Sequence, residues 1–181
     1  MARKIILKKY NSRKLEWLYD ARWFIMMLIL AFVLFRFVIG FSVVSGDSMA
    51  PSYLDGEVVM FLRIKTGIEV GDVVAVRVPS GDYYIKRVVA GPGDVVDIRK
   101  DSFFVNGSAE AFDALEGSTK KEKGTVFYPY TVSPGNYFIL GDNREISVDS
   151  RYFGEVTRRE VKGKIISSVL RVEKTGDEKV R

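Results

Sequence analysis

The chain has 181 residues and a formal net charge of +5, and its hydrophobic fraction of 47% is enough for one globular domain plus an appendage. It contains no cysteine and no histidine, which excludes disulfides and thiolate zinc sites and argues against an ordinary transition-metal centre. The lack of imidazole also excludes the serine–histidine pair of most serine hydrolases. We therefore expect no cofactor and no metal ion.

The amino-terminal region joins a basic segment to an apolar run. Residues 23–44 are apolar apart from a few small residues and Arg36. As a helix rising about 1.5 Å per residue they would reach roughly 33 Å, enough to cross a bilayer core of about 30 Å. We interpret this run as an uncleaved transmembrane signal anchor, with a buried core helix and a cleaved signal peptide as alternatives. Arg36, near the middle of the span, would cost on the order of 2.5–3.5 kcal/mol.

The placement of the positive charge predicts an orientation. Residues 45–62 contain no lysine or arginine. The positive-inside rule therefore predicts a cytoplasmic segment 1–22, an extracytoplasmic domain 45–172 and a charged tail 173–181 in a single-pass protein of the cell membrane. Charge gathered beside an apolar run favours membrane lipid over nucleic acid as a partner. Residues 1–22 hold seven basic residues, namely Arg3, Lys4, Lys8, Lys9, Arg13, Lys14 and Arg22.

From residue 42 onward, short β-type runs alternate with glycine-rich turns. No amphipathic helix separates them, so we expect a mainly β fold, an antiparallel barrel or sandwich preceded by one transmembrane helix. The polar residues 109–124 are predicted to form an exposed loop. The predicted strands are 58–62, 73–78, 83–89, 95–99, 103–105 and 137–140. The predicted turns are 55–56, 71–72, 80–82, 91–94, 106–107 and 134–136.

Ser48 is the first candidate for chemistry. It follows Gly46 and Asp47 and lies three residues before Pro51. Such a turn could expose the hydroxyl and direct the backbone N–H of Ser48 towards a developing oxyanion. An ordinary loop serine is the alternative. Without histidine, the base for Ser48 would have to be a lysine, an aspartate or a metal-bound water.

Lys86 is the candidate base. It lies in a predicted strand beside Tyr84, Ile85 and Val88, which indicate at least one buried face. Free lysine has a pKa of about 10.4 and is almost entirely protonated near neutral pH, but burial disfavours the ammonium and lowers the pKa. A strand lysine turned to water is the alternative. Arg87, on the opposite face, would be solvated or structural.

A third polar cluster follows the last predicted strand. It begins with Gly141-Asp142-Asn143-Arg144 and continues from Ser147 to Gly154. One interpretation is a solvated loop. In the functional interpretation, Ser147 orients the lysine amine while Asp149 and Arg151 form a supporting ion pair.

Taken together and in order, these motifs resemble the bacterial type I signal peptidases, the membrane-anchored Ser/Lys leader peptidases. The resemblance extends from the anchor to about Gly154. It implies that Ser48 is the nucleophile, Lys86 the general base and Ser147 the hydroxyl that positions the lysine, with Asp149 and Arg151 as structural supports. The residues that carry it are Gly46-Asp47-Ser48-Met49-Ala50-Pro51, Gly71-Asp72-Val73-Val74, Tyr84 to Asp94, Gly141-Asp142-Asn143-Arg144, Ser147, Asp149, Ser150, Arg151 and Gly154.

One position departs from part of the family. Some members have a serine two residues before the nucleophile, whose hydroxyl helps to hold the oxyanion, where this chain has Gly46. The oxyanion hole would then depend on the backbone N–H of Ser48. Only 46 residues separate Asp94 from Gly141, so the large insertion of longer relatives is absent. The chain is therefore similar to the short Gram-positive-like form.

The resemblance implies a membrane-bound serine endopeptidase that removes signal peptides from exported preproteins after small, A-x-A-like residues. The substrate would bind as an added strand, and the expected enzyme is monomeric. The candidate pocket residues are Val44, Met49, Tyr84 and Ile85.

Three alternatives belong to other classes of protein. A LexA-like self-cleaving protein shares the Ser/Lys chemistry but would carry a DNA-binding module in place of the anchor. A catalytically inactive, membrane-anchored assembly factor of the same fold would not need both Ser48 and Lys86. The Ser/His signal peptidases of the endoplasmic reticulum are excluded because the chain has no histidine.

Overall fold

The computed structural model describes residues 17, 19, 21–63, 67–78, 81–110, 117–122 and 126–171. The predicted tail 173–181 and most of the predicted segment 1–22 lie outside the described residues. So do residue 80 of the predicted turn 80–82 and parts of the predicted loop 109–124.

Helix α1, Ala21–Val38, is long and apolar enough to cross a membrane. At about 1.5 Å per residue its 18 residues extend roughly 27 Å. Its last turn, Leu34–Val38, is a π-helix. Arg36 therefore lies next to the helix end, with its guanidinium 5.5 Å from the centre of the Phe37 ring. An arginine there can extend towards water more readily than one at the middle of the span.

The helix ends earlier than the predicted span 23–44. Residues Ile39–Val43 form strand β1 instead. Apolar residues alternate there with Gly40 and Ser42, which suits the two-residue period of a strand. Gly40 is required because the Phe61 ring occupies the space that a Cβ would fill.

Eleven strands in two sheets make up the rest of the described chain, which confirms the mainly β prediction. The large sheet has the order β1-β2-β11-β3-β4-β9-β10, and the small sheet the order β7-β6-β5-β8. A short helix, α2 (Ser150–Phe153), separates β9 from β10. The remaining strands are β2 (Val58–Leu62), β3 (Val73–Arg77), β4 (Tyr83–Ala90), β5 (Val95–Arg99), β6 (Ser102–Val105), β7 (Ser108–Ala109), β8 (Tyr130–Thr131), β9 (Asn136–Leu140), β10 (Val156–Thr157) and β11 (Val161–Leu170).

Strand β3 is buried on both of its faces. Val74 and Val76 belong to one apolar cluster, whereas Val73 and Ala75 belong to a second one. A third cluster packs the small sheet against β9, with Phe103 and Phe138 stacked at 6.0 Å between ring centres. Each fully buried aliphatic or aromatic side chain contributes about 1.5–3 kcal/mol, so β3 and β9 are firmly held.

The ladder around β4 positions the candidate site. Lys86 lies opposite Val74 on β3, and Arg87 opposite Val73. On the other side, β9 pairs with β4 only as far as the Arg87–Leu140 pair. Within the described residues, the β9 side of 83–86 therefore has no strand partner. The chain leaving β9 at Gly141 begins its loop beside this free edge.

All six predicted strands fall on observed strands, but five observed strands were not predicted: β1, β7, β8, β10 and β11. The longest omission is β11, which lies between β2 and β3 and pairs with both. Gly163 lies where β11 meets β2, and a Cβ there would overlap the backbone of Leu62 and the ring of Phe61.

Candidate active site

Ser48 and Lys86 meet although 38 residues separate them. Lys86 Nζ donates a hydrogen bond to Ser48 Oγ at 2.7 Å. The lysine comes from β4 and the serine from the turn that connects β1 to β2. The contact links a nucleophilic oxygen directly to a possible base, which is the geometry that activation of a serine requires.

The environment of Lys86 favours its neutral form. The residue is 3% exposed, and burial lowers the pKa of its amine to about 8. The negative charges of Asp149 and Asp142 act in the opposite direction. The Tyr84 ring lies 5.3 Å from Nζ. With a pKa near 8, about one molecule in ten carries the free amine at pH 7, against fewer than one in a thousand for ordinary lysine.

Local backbone bonds shape the turn that presents Ser48. Ala50 N–H bonds to the Asp47 carbonyl at 3.1 Å, and Gly46 N–H bonds to Asp55 Oδ1 at 2.7 Å. Gly46 has φ +78°, a conformation that favours glycine. Among the described residues, the N–H of Ser48 has no acceptor, so it can donate to a substrate oxyanion.

Gly141 brings the loop after β9 into contact with Ser48. A Cβ at this position would overlap the Ser147 side chain and the Ser48 carbonyl. The same carbonyl accepts a 3.1 Å hydrogen bond from Asn143 N–H. The backbone of Ser48 is thus fixed to the 141–143 segment, and only glycine allows this approach.

Asp149 and Arg151 form a buried ion pair. Asp149 is fully buried and bonds through Oδ1 to Arg151 Nε at 2.8 Å. Its Oδ2 accepts from Gly141 N–H at 3.1 Å. Arg151 also donates to the carbonyls of Arg144 at 2.7 Å and Ser147 at 3.2 Å. The pair therefore holds both ends of the 141–149 loop.

Ser147 lies beside this assembly but makes no bond to the lysine. Its side chain is buried, at 3% exposure, against Gly141. In the part of the chain that the structure describes, its Oγ makes no hydrogen bond. The role suggested for Ser147, orienting the amine of Lys86, therefore stays a prediction.

Two further buried charge clusters were not predicted. Arg87 binds Asp142 through two bonds of 2.7 and 2.6 Å and also donates to the Gly71 carbonyl at 2.8 Å. This makes Arg87 structural, one of the two roles that the sequence left open. The residues near Arg87 in the sequence do not indicate this pairing, because Asp142 lies 55 residues away.

The second cluster centres on Arg144. This arginine is 1% exposed and donates to the Gly141 carbonyl at 3.0 Å and to Thr119 Oγ1 at 2.7 Å. Its Nη2 lies 2.7 Å from Oε2 of Glu110, whose side chain is 5% exposed. The prediction that 109–124 is an exposed loop is therefore wrong at Glu110 and Thr119, which are both described. Glu110 neutralises the buried guanidinium of Arg144, and Thr119 accepts a hydrogen bond from it.

A cleft of about 690 Å³ opens beside the Ser48–Lys86 pair. All four residues proposed for substrate pockets line it, and so do apolar residues that were not proposed, among them Phe61, Ala75 and Ile146. The cleft contains the free edge of β4 from Tyr83 to Lys86. The four proposed residues are Val44, Met49, Tyr84 and Ile85.

Comparison with known proteins gives consistent matches. The family model described as "Signal peptidase, peptidase S26" matches residues 15–170. Signal peptidase IB of Staphylococcus aureus is 31% identical over 168 residues, covering 83% of this chain and 86% of that protein. Signal peptidase I of Bacillus amyloliquefaciens is 31% identical over 166 residues, covering 86% and 89%. A crystal structure of a signal peptidase I from Enterococcus faecalis V583 is 31% identical and covers 55% of this chain and 96% of that chain, with a TM-score of 0.46.

Proposed function

Because this chain belongs to the signal peptidase family, peptidase S26, we propose that Ser48 and Lys86 form the catalytic dyad with which it works. The protein is a serine endopeptidase that removes signal peptides from preproteins. Neither a self-cleaving repressor nor an inactive assembly factor is favoured by this family membership. The observation that carries the assignment of the dyad is the 2.7 Å contact between a buried lysine amine and a serine that lines an open cleft.

The proposed chemistry begins with the neutral amine of Lys86. The amine accepts the proton of Ser48 as Oγ attacks the carbonyl carbon of the scissile peptide bond. The negative charge that develops on the carbonyl oxygen receives a hydrogen bond from the backbone N–H of Ser48. When the C–N bond breaks, the Lys86 ammonium returns the proton to the leaving amine.

In the second half of the reaction, water replaces Ser48 as the attacking group and Ser48 becomes the leaving group. The signal peptide is now bound as an ester of Ser48, and Lys86 is neutral again. The amine takes a proton from water as the water oxygen attacks the ester carbonyl. Collapse of this second tetrahedral species returns the proton to Ser48 Oγ and releases the signal peptide as a carboxylic acid, which loses its remaining proton to solvent.

The cleft supports a substrate bound in extended form. The backbone of 83–86 has a free side along which a peptide can pair as an added strand. Apolar side chains, including Met49, Ala75 and Ile85, would enclose the residues next to the cleaved bond. Small residues would fit between them, so we propose cleavage after A-x-A-like sequences.

Ser147, Asp149 and Arg151 have supporting roles in this proposal. Asp149 and Arg151 fix the loop that carries Ser147 and that bonds to the backbone of Ser48. The Ser147 hydroxyl would bond to the amine of Lys86 once the amine has rotated during the reaction. Such supports gain their effect by fixing geometry, and a displacement of about 1 Å can cost on the order of a hundredfold in rate.

The arrangement in the membrane is also a proposal. Helix α1 would anchor the enzyme with residues 1–22 in the cytoplasm and residues 45–172 outside, followed by a charged tail 173–181. The charge distribution described above supports this orientation. The enzyme would act as a monomer on secreted preproteins and would contact lipid but not nucleic acid.

The full-length enzyme in detergent or liposomes, given a preprotein with its signal peptide, tests the dyad. Ser48→Ala and Lys86→Arg should each lower the cleavage rate at least a thousandfold, because an alanine cannot attack and a guanidinium stays protonated. The controls are Ser108→Ala and Lys100→Arg, which alter exposed residues of the small sheet and should leave the rate unchanged. A cleavage rate above a few per cent of wild type in either dyad variant would contradict the assignment of Ser48 and Lys86 as the catalytic dyad.

A further inference from the structure

The second buried charge cluster connects the small sheet to the proposed active site. Glu110 follows β7, and its N–H bonds to the Phe103 carbonyl of β6 at 3.0 Å. Arg144 lies in the loop after β9, with its guanidinium 5.8 Å from the centre of the Phe103 ring. The ion pair between Glu110 and Arg144 thus spans from the small sheet to the loop that contacts Ser48.

Arg144 bonds to Gly141, a closely packed point of the site. Its Nε donates to the carbonyl of Gly141 at 3.0 Å, while the N–H of Gly141 donates to Asp149 at 3.1 Å. Both peptide groups of Gly141 are therefore held by buried charged side chains. The Ser48 carbonyl and the Ser147 side chain rest against this same glycine.

We propose that Glu110 is a positioning residue for catalysis, which acts through Arg144 on the Gly141–Asn143 backbone and so sets the place of Ser48 relative to Lys86. A buried guanidinium is costly unless it is paired. Without the carboxylate, Arg144 turns towards water and releases the carbonyl of Gly141. The loop then moves away from Ser48, because only the Asp149 side of Gly141 is still held.

This inference rests on the proposed dyad but makes separate predictions. Loss of Glu110 should misplace Ser48 without altering the cleft walls, so kcat should fall and KM should stay nearly constant. A looser loop also admits water to Lys86 and raises its pKa towards that of free lysine. The acidic limb of the rate profile should therefore move to higher pH, which a purely structural residue would not cause.

The test uses full-length Glu110→Gln in detergent, with the cleavage rate of a preprotein measured as a function of concentration and pH. We expect kcat to fall about 10- to 100-fold, KM to change less than about twofold and the acidic limb to rise by about half a pH unit. Glu110→Asp, which keeps the charge, should recover most of the loss. Asp97→Asn, which breaks the exposed Asp97–Arg99 pair of the small sheet, is the matched control and should behave as wild type.

A Glu110→Gln enzyme with a lower melting temperature but wild-type kcat and acidic limb would overturn the proposal. If that variant does not fold, Thr119→Val provides the same test at smaller amplitude, because it keeps both charges and removes only the 2.7 Å bond to Arg144. A fall in kcat of about threefold at constant KM supports the proposal, and an unchanged kcat overturns it. Ser48→Ala measured in parallel separates the two hypotheses: activity in that variant refutes the dyad itself.

Discussion

Lys86 is buried and Ser48 is reachable, yet their side chains touch at 2.7 Å. The lysine is 3% exposed, whereas the serine lines a cleft of about 690 Å³. In the proposed dyad, the base would thus lie away from bulk water while the nucleophile is open to a large substrate. Under this proposal a lysine does the work of the imidazole that the chain lacks, because burial lowers the pKa of its amine.

The pH dependence of cleavage should report this burial. Only the neutral amine accepts a proton, and the pKa of Lys86 is about 8, so kcat/KM should rise with pH and level off above about pH 9. Rates from about pH 6 to pH 10.5 define the limb. An acidic limb near pH 10.4, the value of free lysine, would mean that the base is not desolvated and that Lys86 is misassigned.

The same shift predicts a stability effect of Lys86→Met. The folded-state pKa of about 8 lies below the unfolded value of about 10.5, so between these values the unfolded chain binds more protons and stability rises with pH. Below pH 8 the wild type bears the full cost of burying an ammonium, on the order of 3 kcal/mol. Lys86→Met removes the titrating group, so it should be more stable by up to about this amount at pH 7.

Chemical denaturation at several pH values measures this effect. The advantage of Lys86→Met should shrink as the pH rises and vanish above about pH 10.5. A variant that is equally stable with wild type at pH 7 and at pH 10 would show that the lysine is not penalised in the folded state.

Local sequence features predicted the parts of the site better than their assembly. The turn around Ser48 and the strand around Lys86 are both encoded by near neighbours, a glycine and a proline in one case and flanking apolar residues in the other. Their contact depends on the order of strands in the large sheet, where β3 lies between β11 and β4 and pairs with β4. No local pattern contains that information, and the resemblance to a family supplied it.

The unpredicted parts share a physical cause. Strand β11 has Lys162, Lys164 and two serines between its apolar residues, and only its two neighbours in the sheet make it central. Glu110 lies in a polar stretch that favours a solvated loop, and it is buried only because Arg144 needs a partner. Strand β1 was not predicted because it continues the apolar run, and membrane helices and strands use the same apolar residue types.

Ser147→Ala should separate orientation from stability. The Ser147 hydroxyl is buried without a partner among the described residues, so its removal should leave the free energy of unfolding unchanged or slightly higher. If the hydroxyl orients the amine of Lys86 during the reaction, kcat should fall about 10- to 100-fold at nearly constant KM. Steady-state kinetics together with thermal unfolding decide this, and an unchanged kcat would leave Ser147 without the proposed role.

Gly141→Ala should be among the most damaging small substitutions. The new methyl group overlaps the Ser48 carbonyl and the Ser147 side chain, so the loop must shift away from Ser48. We expect a loss of about 1–3 kcal/mol in stability and of at least about a hundredfold in kcat. Gly91→Ala is the matched control, because a Cβ there meets its nearest atom at an ordinary 3.7 Å. Equal activity of the two variants would contradict the close contact at Gly141.

The proposed orientation in the membrane gives the last prediction. Seven basic residues precede Trp23 and none lies from Ser45 to Leu62, so the amino terminus should stay in the cytoplasm while the β domain is exported. Protease added to spheroplasts or protoplasts should digest residues 45–181, and an epitope tag at residue 1 should survive until the cells are lysed. Arg36→Leu should retain or strengthen membrane attachment. Arg36 lies in the last turn of α1, where its charged group must extend to water, and a leucine has no such requirement. Digestion of the tag in sealed cells would reverse the orientation, and loss of activity in Arg36→Leu with normal insertion would give Arg36 a function beyond the anchor.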